Sequence, residues 1–165
     1  LIDLSRPMLD RAVERLQAAS GRTPTALQGD IRALALPDAH FDIVVAAAVL
    51  HHLRTDQEWW SVFAKIHRSL RPGGSFWIFD MVEHSRPAVQ SLMWDRYGEY
   101  LTALKGEDYR RQVFAYIDLE DTPRPLVCQL DLLRQVGFSQ VEVLHKNGCF
   151  AAFGGLLTTP PAPRA

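Results

Sequence analysis

Residues 41–80 read FDIVVAAAVLHHLRTDQEWWSVFAKIHRSLRPGGSFWIFD, and this stretch decides the fold. Its first seven residues, Phe41 to Ala47, form a near-continuous apolar run, as expected of a parallel strand buried on both faces. Thr55 and Glu58 stand at capping-box spacing, with Thr55 at the cap and Glu58 reaching back to it. The helix they open should bury Trp59, Phe63, Ile66 and Leu70, and Arg71-Pro72-Gly73-Gly74 should stop it. Ser75 to Asp80 (SFWIFD) is the next strand. Strand, amphipathic helix and apolar strand together form the repeating unit of an α/β fold.

The alternation continues on both sides. Leu1 to Leu4 reads as the tail of a strand. Ser5 can cap the helix that follows, with Pro7 in its first turn, where a missing N–H costs nothing. Met8, Leu9, Ala12, Val13 and Leu16 share one face of that helix, which should end at Ser20-Gly21. A short strand is expected from about Thr25 to Gly29, with Asp30 at its carboxyl end. After Asp80 the alternation lapses from Met81 to about Arg124. Val89, Leu92, Met93, Leu101 and Leu104 fall there at helical spacing, among the aromatics Trp94, Tyr97, Tyr100, Tyr109, Phe114 and Tyr116. Leu126, Leu130 and Leu133 mark a helix ending at Gly137. Strands at about Gln140 to His145 and Cys149 to Phe153 are joined by Lys146-Asn147-Gly148, and Asn-Gly predicts an antiparallel hairpin. The expected architecture is a doubly wound, mostly parallel sheet closed by that C-terminal hairpin. One domain is expected over residues 1–157, with a helical lid at about 81–124. The tail 158–165, carrying Pro160, Pro161 and Pro163, has nothing to pack and is expected to be disordered.

Composition excludes several classes. The chain has 165 residues, 47% hydrophobic and 22% charged, enough for one core. A net charge of −1 supplies no global basic field, so nucleic acid is a disfavoured partner. Cys128 and Cys149 match no metal-ligand or redox spacing and read as two buried thiols of a reducing, cytoplasmic compartment. No apolar run reaches the ~18 residues of a membrane span, and no secretory signal is visible.

Ligands of open α/β sheets bind at the carboxyl ends of the strands, and three strand ends here carry suitable groups. Asp3 could accept hydrogen bonds from both hydroxyls of a ribose, or serve only as a helix-start acid beside Ser5. Asp30 follows Gln28-Gly29, where glycine permits close backbone approach, and could accept a hydrogen bond from an exocyclic amine. After the third strand end, AAVLHHL (residues 47–53) offers a small-residue shelf and then His51 and His52. Adjacent histidines point in different directions, so they make a poor chelating pair, and no metal site is expected.

In order and spacing the motifs LIDLSRPML, LQGDI, FDIVVAAAVLHHL, SLRPGGSFWIFD and LLRQVGFSQVEVLHKNGCFAAFGG resemble the class I S-adenosylmethionine (SAM)-dependent methyltransferases, from Leu1 to about Gly155. The resemblance implies SAM as cofactor. It places Asp3, with Leu4 beside it, on the cofactor ribose, Met8 near the adenine, Asp30 and Ile31 at the adenine edge, and Ala47 beside the sulfonium with His51 close by. VLHHL and the final hairpin are also loosely similar to carboxy-S-adenosylmethionine synthase, a relative acting on the cofactor itself. The family's glycine-rich loop and the strand before it have no counterpart in these residues, so the first strand is expected to be missing from this chain, leaving two central strand edges without a partner.

In methyl transfer the protein's work is mostly alignment. Where the acceptor needs a base, His51, His52 and His84 are the candidates. The residue 81–124 segment is the expected substrate lid, and the alternative is that its aromatics are buried permanently in the domain or in a homodimer interface. Three functional readings stay open: a methyltransferase for a small-molecule acceptor, a non-catalytic module that lost its cofactor loop, and a nicotinamide dehydrogenase. The Asn147-Gly148 hairpin and the lack of a Tyr-x-x-x-Lys pair argue against the last.

Overall fold

The computed structural model describes residues 1–158, so the expectation for the proline-rich tail falls, apart from Thr158, outside the described residues. The described chain forms two compact units, Leu1–Leu36 and the remainder from Pro37.

In the first unit, β1 (Ile2–Asp3) and β2 (Leu27–Gln28) form a two-stranded parallel ladder around α1 (Arg6–Ser20). The punctuation is as the sequence predicts. The Ser5 side chain accepts the Met8 N–H, Pro7 lies in the first turn, and Gly21 closes the helix in the left-handed region at φ 68°. The expected apolar face is only partly covered. Leu9 is buried and Ala12 and Val13 are half-buried, whereas Met8 and Leu16 are exposed.

The second unit contains β3 (Phe41–Ala47), a 3-10 turn (Leu50–His52), α2 (Asp56–Ser69), β4 (Leu70–Met81), α3 (Pro87–Lys105), α4 (Glu107–Glu120), α5 (Leu126–Val136), β5 (Gln140–Asn147) and β6 (Phe150–Leu156). Its sheet runs β3-β4-β6-β5. β3 and β4 are parallel, and β6 is antiparallel to both β4 and β5, so three of the four strands share a direction. The α/β class and the closing hairpin both hold. Both halves of the predicted capping box form, since Glu58 N–H donates to Thr55 Oγ1 and Thr55 N–H to Glu58 Oε2. Trp59, Phe63, Ile66 and Leu70 are all buried.

The core lies between the sheet and helices α2 and α5. Phe63 of α2 meets Phe76 of β4 edge-on at 5.6 Å, and Phe76 meets Phe138, which follows α5, at 6.1 Å. The sheet packs tightly at β6, where a Cβ on Gly154 would lie 2.1 Å from the Phe76 carbonyl oxygen, so only glycine fits.

Two expectations need correction. The Arg71–Gly74 segment does not lie outside the sheet. β4 starts at Leu70, opposite Phe41, and the step from Phe41 to Ile43 is matched by the step from Leu70 to Ser75, so RPGG is an irregularity within the ladder. Nor is β3 buried on both faces. Val44 and Ala46 share the register of Phe76 and Ile78 and face the helices, whereas Ile43 is 63% and Val45 67% exposed. β3 is the outer strand of its sheet, and α2 and α5 cover only the opposite face.

Candidate functional site

In the first unit the parallel β1–β2 ladder brings two predicted carboxylates to one edge. Asp3 is paired with Gln28 in the ladder, and the Gly29 N–H donates to the Asp3 carbonyl at 3.0 Å, so Asp3 and Asp30 both stand at the carboxyl end of these strands. Asp3 is half-buried, and its Oδ1 accepts the Ser5 N–H at 2.7 Å. Asp30 receives the Arg32 guanidinium on both oxygens, with Nε at 3.0 and 2.9 Å. Ile31 is half-buried beside it, while Leu4 and Met8 are exposed.

In the second unit a denser cluster forms at the carboxyl ends of β3 and β4. Ala47 ends β3 on the exposed side. Ala48 then takes φ 54°, left-handed backbone that costs an alanine about 1 kcal/mol or more. Its N–H donates to the Phe79 carbonyl at 2.8 Å, so the turn is anchored to β4. The chain thereby enters the 3-10 turn with Leu50 and His51 directed inward, and both are buried. Asp80, at the end of β4 and almost fully buried, organises the corner. Its Oδ2 accepts the Leu50 N–H at 2.8 Å, and its Oδ1 accepts the Met81 N–H at 2.7 Å and binds His51 Nδ1. That bond makes Nδ1 the protonated nitrogen and turns Nε2 away from the strand.

Nε2 points toward Asp121, which follows α4. Asp121 Oδ1 lies 3.7 Å from His51 Nε2 and 3.0 Å from His52 Nδ1. The Thr122 N–H donates to the His51 carbonyl at 2.6 Å, and Arg54 ties the same loop through the Thr122 hydroxyl and the Leu119 carbonyl. Burial is the largest influence on His51 and disfavours its charge. The hydrogen bond and charge of Asp80, with the charge of Asp121, outweigh it and raise the His51 pKa above its ordinary value. Burial raises the Asp121 pKa, opposed by His51, His52 and Arg54.

The expectation that the adjacent histidines diverge is therefore wrong. Their ring centroids are 4.3 Å apart, because Asp121 gathers both side chains. His84 lies elsewhere, between Gln90 at 3.2 Å and Lys146 at 2.8 Å. The expectation of two buried thiols is half right: Cys149 is buried, its thiol pushed up to about 11 by burial, and Cys128 is exposed. Sequence reasoning missed Asp80 and Asp121 as site residues. Asp80 had a signal, the single acid closing an apolar strand. Asp121 had none, since one more acid after Glu120 looks like solvated surface.

After the strand ends the chain forms two helices. α3 and α4 meet at Gly106 and pack through aromatics, with Trp94 5.4 Å and Tyr97 5.9 Å from Phe114. Trp94, Tyr97 and Tyr100 form a continuous row, and Tyr97 also meets Phe150 at 5.4 Å. Tyr100 stays exposed.

This geometry agrees with the likenesses to known proteins. Residues 1–78 match the family model described as a methyltransferase domain. An O-methyltransferase family protein from Burkholderia thailandensis superposes with a TM-score of 0.64 at 16% identity, covering 96% of this chain and 43% of that one. Human N-acetylserotonin methyltransferase in complex with SAM superposes with a TM-score of 0.55 at 19% identity, covering 96% of this chain and 40% of that one. The fold is that of the class I SAM-dependent methyltransferases. Among curated relatives, the demethylmenaquinone methyltransferase of Anoxybacillus flavithermus is 26% identical over 147 residues, covering 86% of this chain and 60% of the relative. The carboxy-S-adenosyl-L-methionine synthase of Geobacter sp. is 26% identical over 154 residues, covering 92% of this chain and 62% of the relative. This methyltransferase-fold chain thus spans about three fifths of the length of these relatives. Among the described residues no helix is long and apolar enough to cross a membrane.

Proposed function

We propose that the protein is a SAM-dependent methyltransferase that passes the methyl group in line to a small-molecule acceptor. One observation carries the reading. The segment matching the methyltransferase domain presents two carboxylates, Asp3 and Asp30, at the carboxyl edge of one parallel ladder. That pair suits a nucleoside cofactor. Two ribose hydroxyls are donors for Asp3, and the adenine amine is a donor for Asp30, which shares its oxygens with Arg32. Leu4, Met8 and Ile31 supply apolar surface near the same strand ends; within the second unit, Ala47 and His51 are the residues proposed to lie toward the cofactor's sulfonium. SAM supplies the activated methyl group. The chain's own work is to orient the acceptor and, for a hydroxyl or carbon acceptor, to receive its proton. His51 Nε2 is the best-prepared atom for that, since Asp80 holds Nδ1. His52 and His84 remain alternates, and the α3–α4 pair is the lid.

Calorimetry with the demethylated cofactor on the full chain tests the reading. Binding is expected, and Asp3→Ala should weaken it by about 1–3 kcal/mol, the scale of hydrogen bonds to a charged group. Undiminished affinity in Asp3→Ala would leave Asp3 as a helix-start acid only. The equally similar carboxy-SAM synthase of Geobacter sp. supports a second reading, in which the cofactor itself is modified. Mass spectrometry of the cofactor after turnover separates the two, since methyl transfer leaves the demethylated product and the alternative leaves a heavier sulfonium.

A further inference from the structure

The cluster at the carboxyl ends of β3 and β4 is built for more than a proton. We propose that His51 Nε2, His52 Nδ1 and Asp121 Oδ1 form a site for a divalent first-row transition cation of the zinc type, with Asp80 as the group that orients His51.

Four observations converge. The three ligand atoms lie within 4.8 Å of one another. Asp121 Oδ1 stands 3.0 Å from one ring nitrogen and 3.7 Å from the other. Tetrahedral bonds of 2.0–2.1 Å would set ligand atoms about 3.3 Å apart, between those two values. Second, the Asp121 side chain is only 3% exposed, yet its Oδ1 accepts no hydrogen bond. The His52 nitrogen is near enough but lacks the geometry, and the His51 nitrogen is too far. An orphaned carboxylate oxygen facing two imidazole nitrogens suits a cation once His52 Nδ1, which also lies 3.4 Å from the Glu120 carbonyl oxygen, presents its lone pair, and a buried acceptor left so is costly. Third, the Asp80–His51 bond reproduces the carboxylate–histidine support of metal ligands, which fixes the tautomer and frees Nε2.

The fourth is charge. Asp80 and Asp121 bury two carboxylates in one corner. Arg54, whose charge acts on Asp121, is held by Glu120 at 3.5 Å, the Leu119 carbonyl and the Thr122 hydroxyl. A proton on His51 would offset one of the two negative charges; a divalent ion offsets both. Two imidazoles and one carboxylate suit zinc, cobalt or nickel better than magnesium or calcium, which take oxygen ligands. His52 is 44% exposed on its side chain, so the fourth position opens on that side to water or ligand. Cation and proton would compete for the same His51 lone pair, so a loaded protein could not use His51 as a base.

The full chain is stripped with chelator, incubated with Co2+, desalted, and read by metal content and visible spectrum; Zn2+ competition follows. One Co2+ per chain, displaced by Zn2+ and with the intense visible bands of four-coordinate cobalt, is expected. His52→Ala and Asp121→Ala should each lower affinity at least about tenfold, whereas His145→Ala on β5 should leave it unchanged. Far-UV circular dichroism matched to wild type shows that the variants are folded, and half-exposed His52 is the safest substitution. Failure to retain Co2+, or retention that survives both substitutions in the folded chain, would overturn the site. The readout is metal content, so it stands or falls independently of methyl transfer.

Discussion

Replacing Asp80 with alanine should destabilise the second unit more than almost any other polar substitution. Asp80 accepts the Leu50 N–H, the Met81 N–H and the His51 ring proton, at a position with almost no exposure. Alanine leaves two buried backbone donors unpaired, each costing about 1–3 kcal/mol, and leaves His51 without its partner. Breaking a buried pair from one side costs about 3–5 kcal/mol. These terms overlap, because water can enter the space the carboxylate vacates, so a loss of about 3–5 kcal/mol in all is expected. Asp80→Asn keeps an acceptor oxygen of the same shape and should cost about half as much. Urea unfolding in chelator, followed by tryptophan fluorescence, measures both. All four tryptophans, Trp59, Trp60, Trp77 and Trp94, lie after Pro37 and report on this unit alone. A loss below about 1 kcal/mol for Asp80→Ala, or equal losses for the two variants, would refute the view that Asp80 organises the corner.

Two further outcomes follow from other parts of the structure. Burial lowers the His67 pKa below its ordinary 6.5, against a backbone hydrogen bond at Gly137, so the fold prefers the neutral ring. Stability contributed this way is complete above pH 6.5 and declines as pH falls through the folded-state value; unfolding curves between pH 7.5 and 5 should show this slope in wild type and lose it in His67→Gln. For the lid, Trp94→Ala should reduce turnover at least about tenfold while sparing cofactor affinity; a lowered melting temperature with unchanged turnover would instead make α3 and α4 permanent core.

What the sequence determined by itself is what the backbone decides within a few residues. The capping box at Thr55 and Glu58, the helix stops at Gly21 and Gly137, the Asn147-Gly148 turn and the exact span of β3 all rest on local hydrogen bonds, dihedral preferences and apolar periodicity. Candidate positions were legible where they sat at a strand end: Asp3, Asp30 and His51 do follow strand ends, where ligands of open sheets approach. Tertiary structure alone decided the rest. Whether β3 is covered on one face or two depends on which helices pack there, and its own seven residues carry no record of that. Arg71–Gly74 reads as a helix stop because proline and glycine end helices, but its place in the ladder is set by β3 alongside. His51 and Asp121 are seventy positions apart, and no spacing rule connects them. They meet because Asp80 pulls the imidazole inward and the Thr122–His51 hydrogen bond draws the end of α4 onto the same corner. Local signals act through the bonds of one turn, whereas a site of converging side chains exists only after the core has fixed where distant turns come to rest.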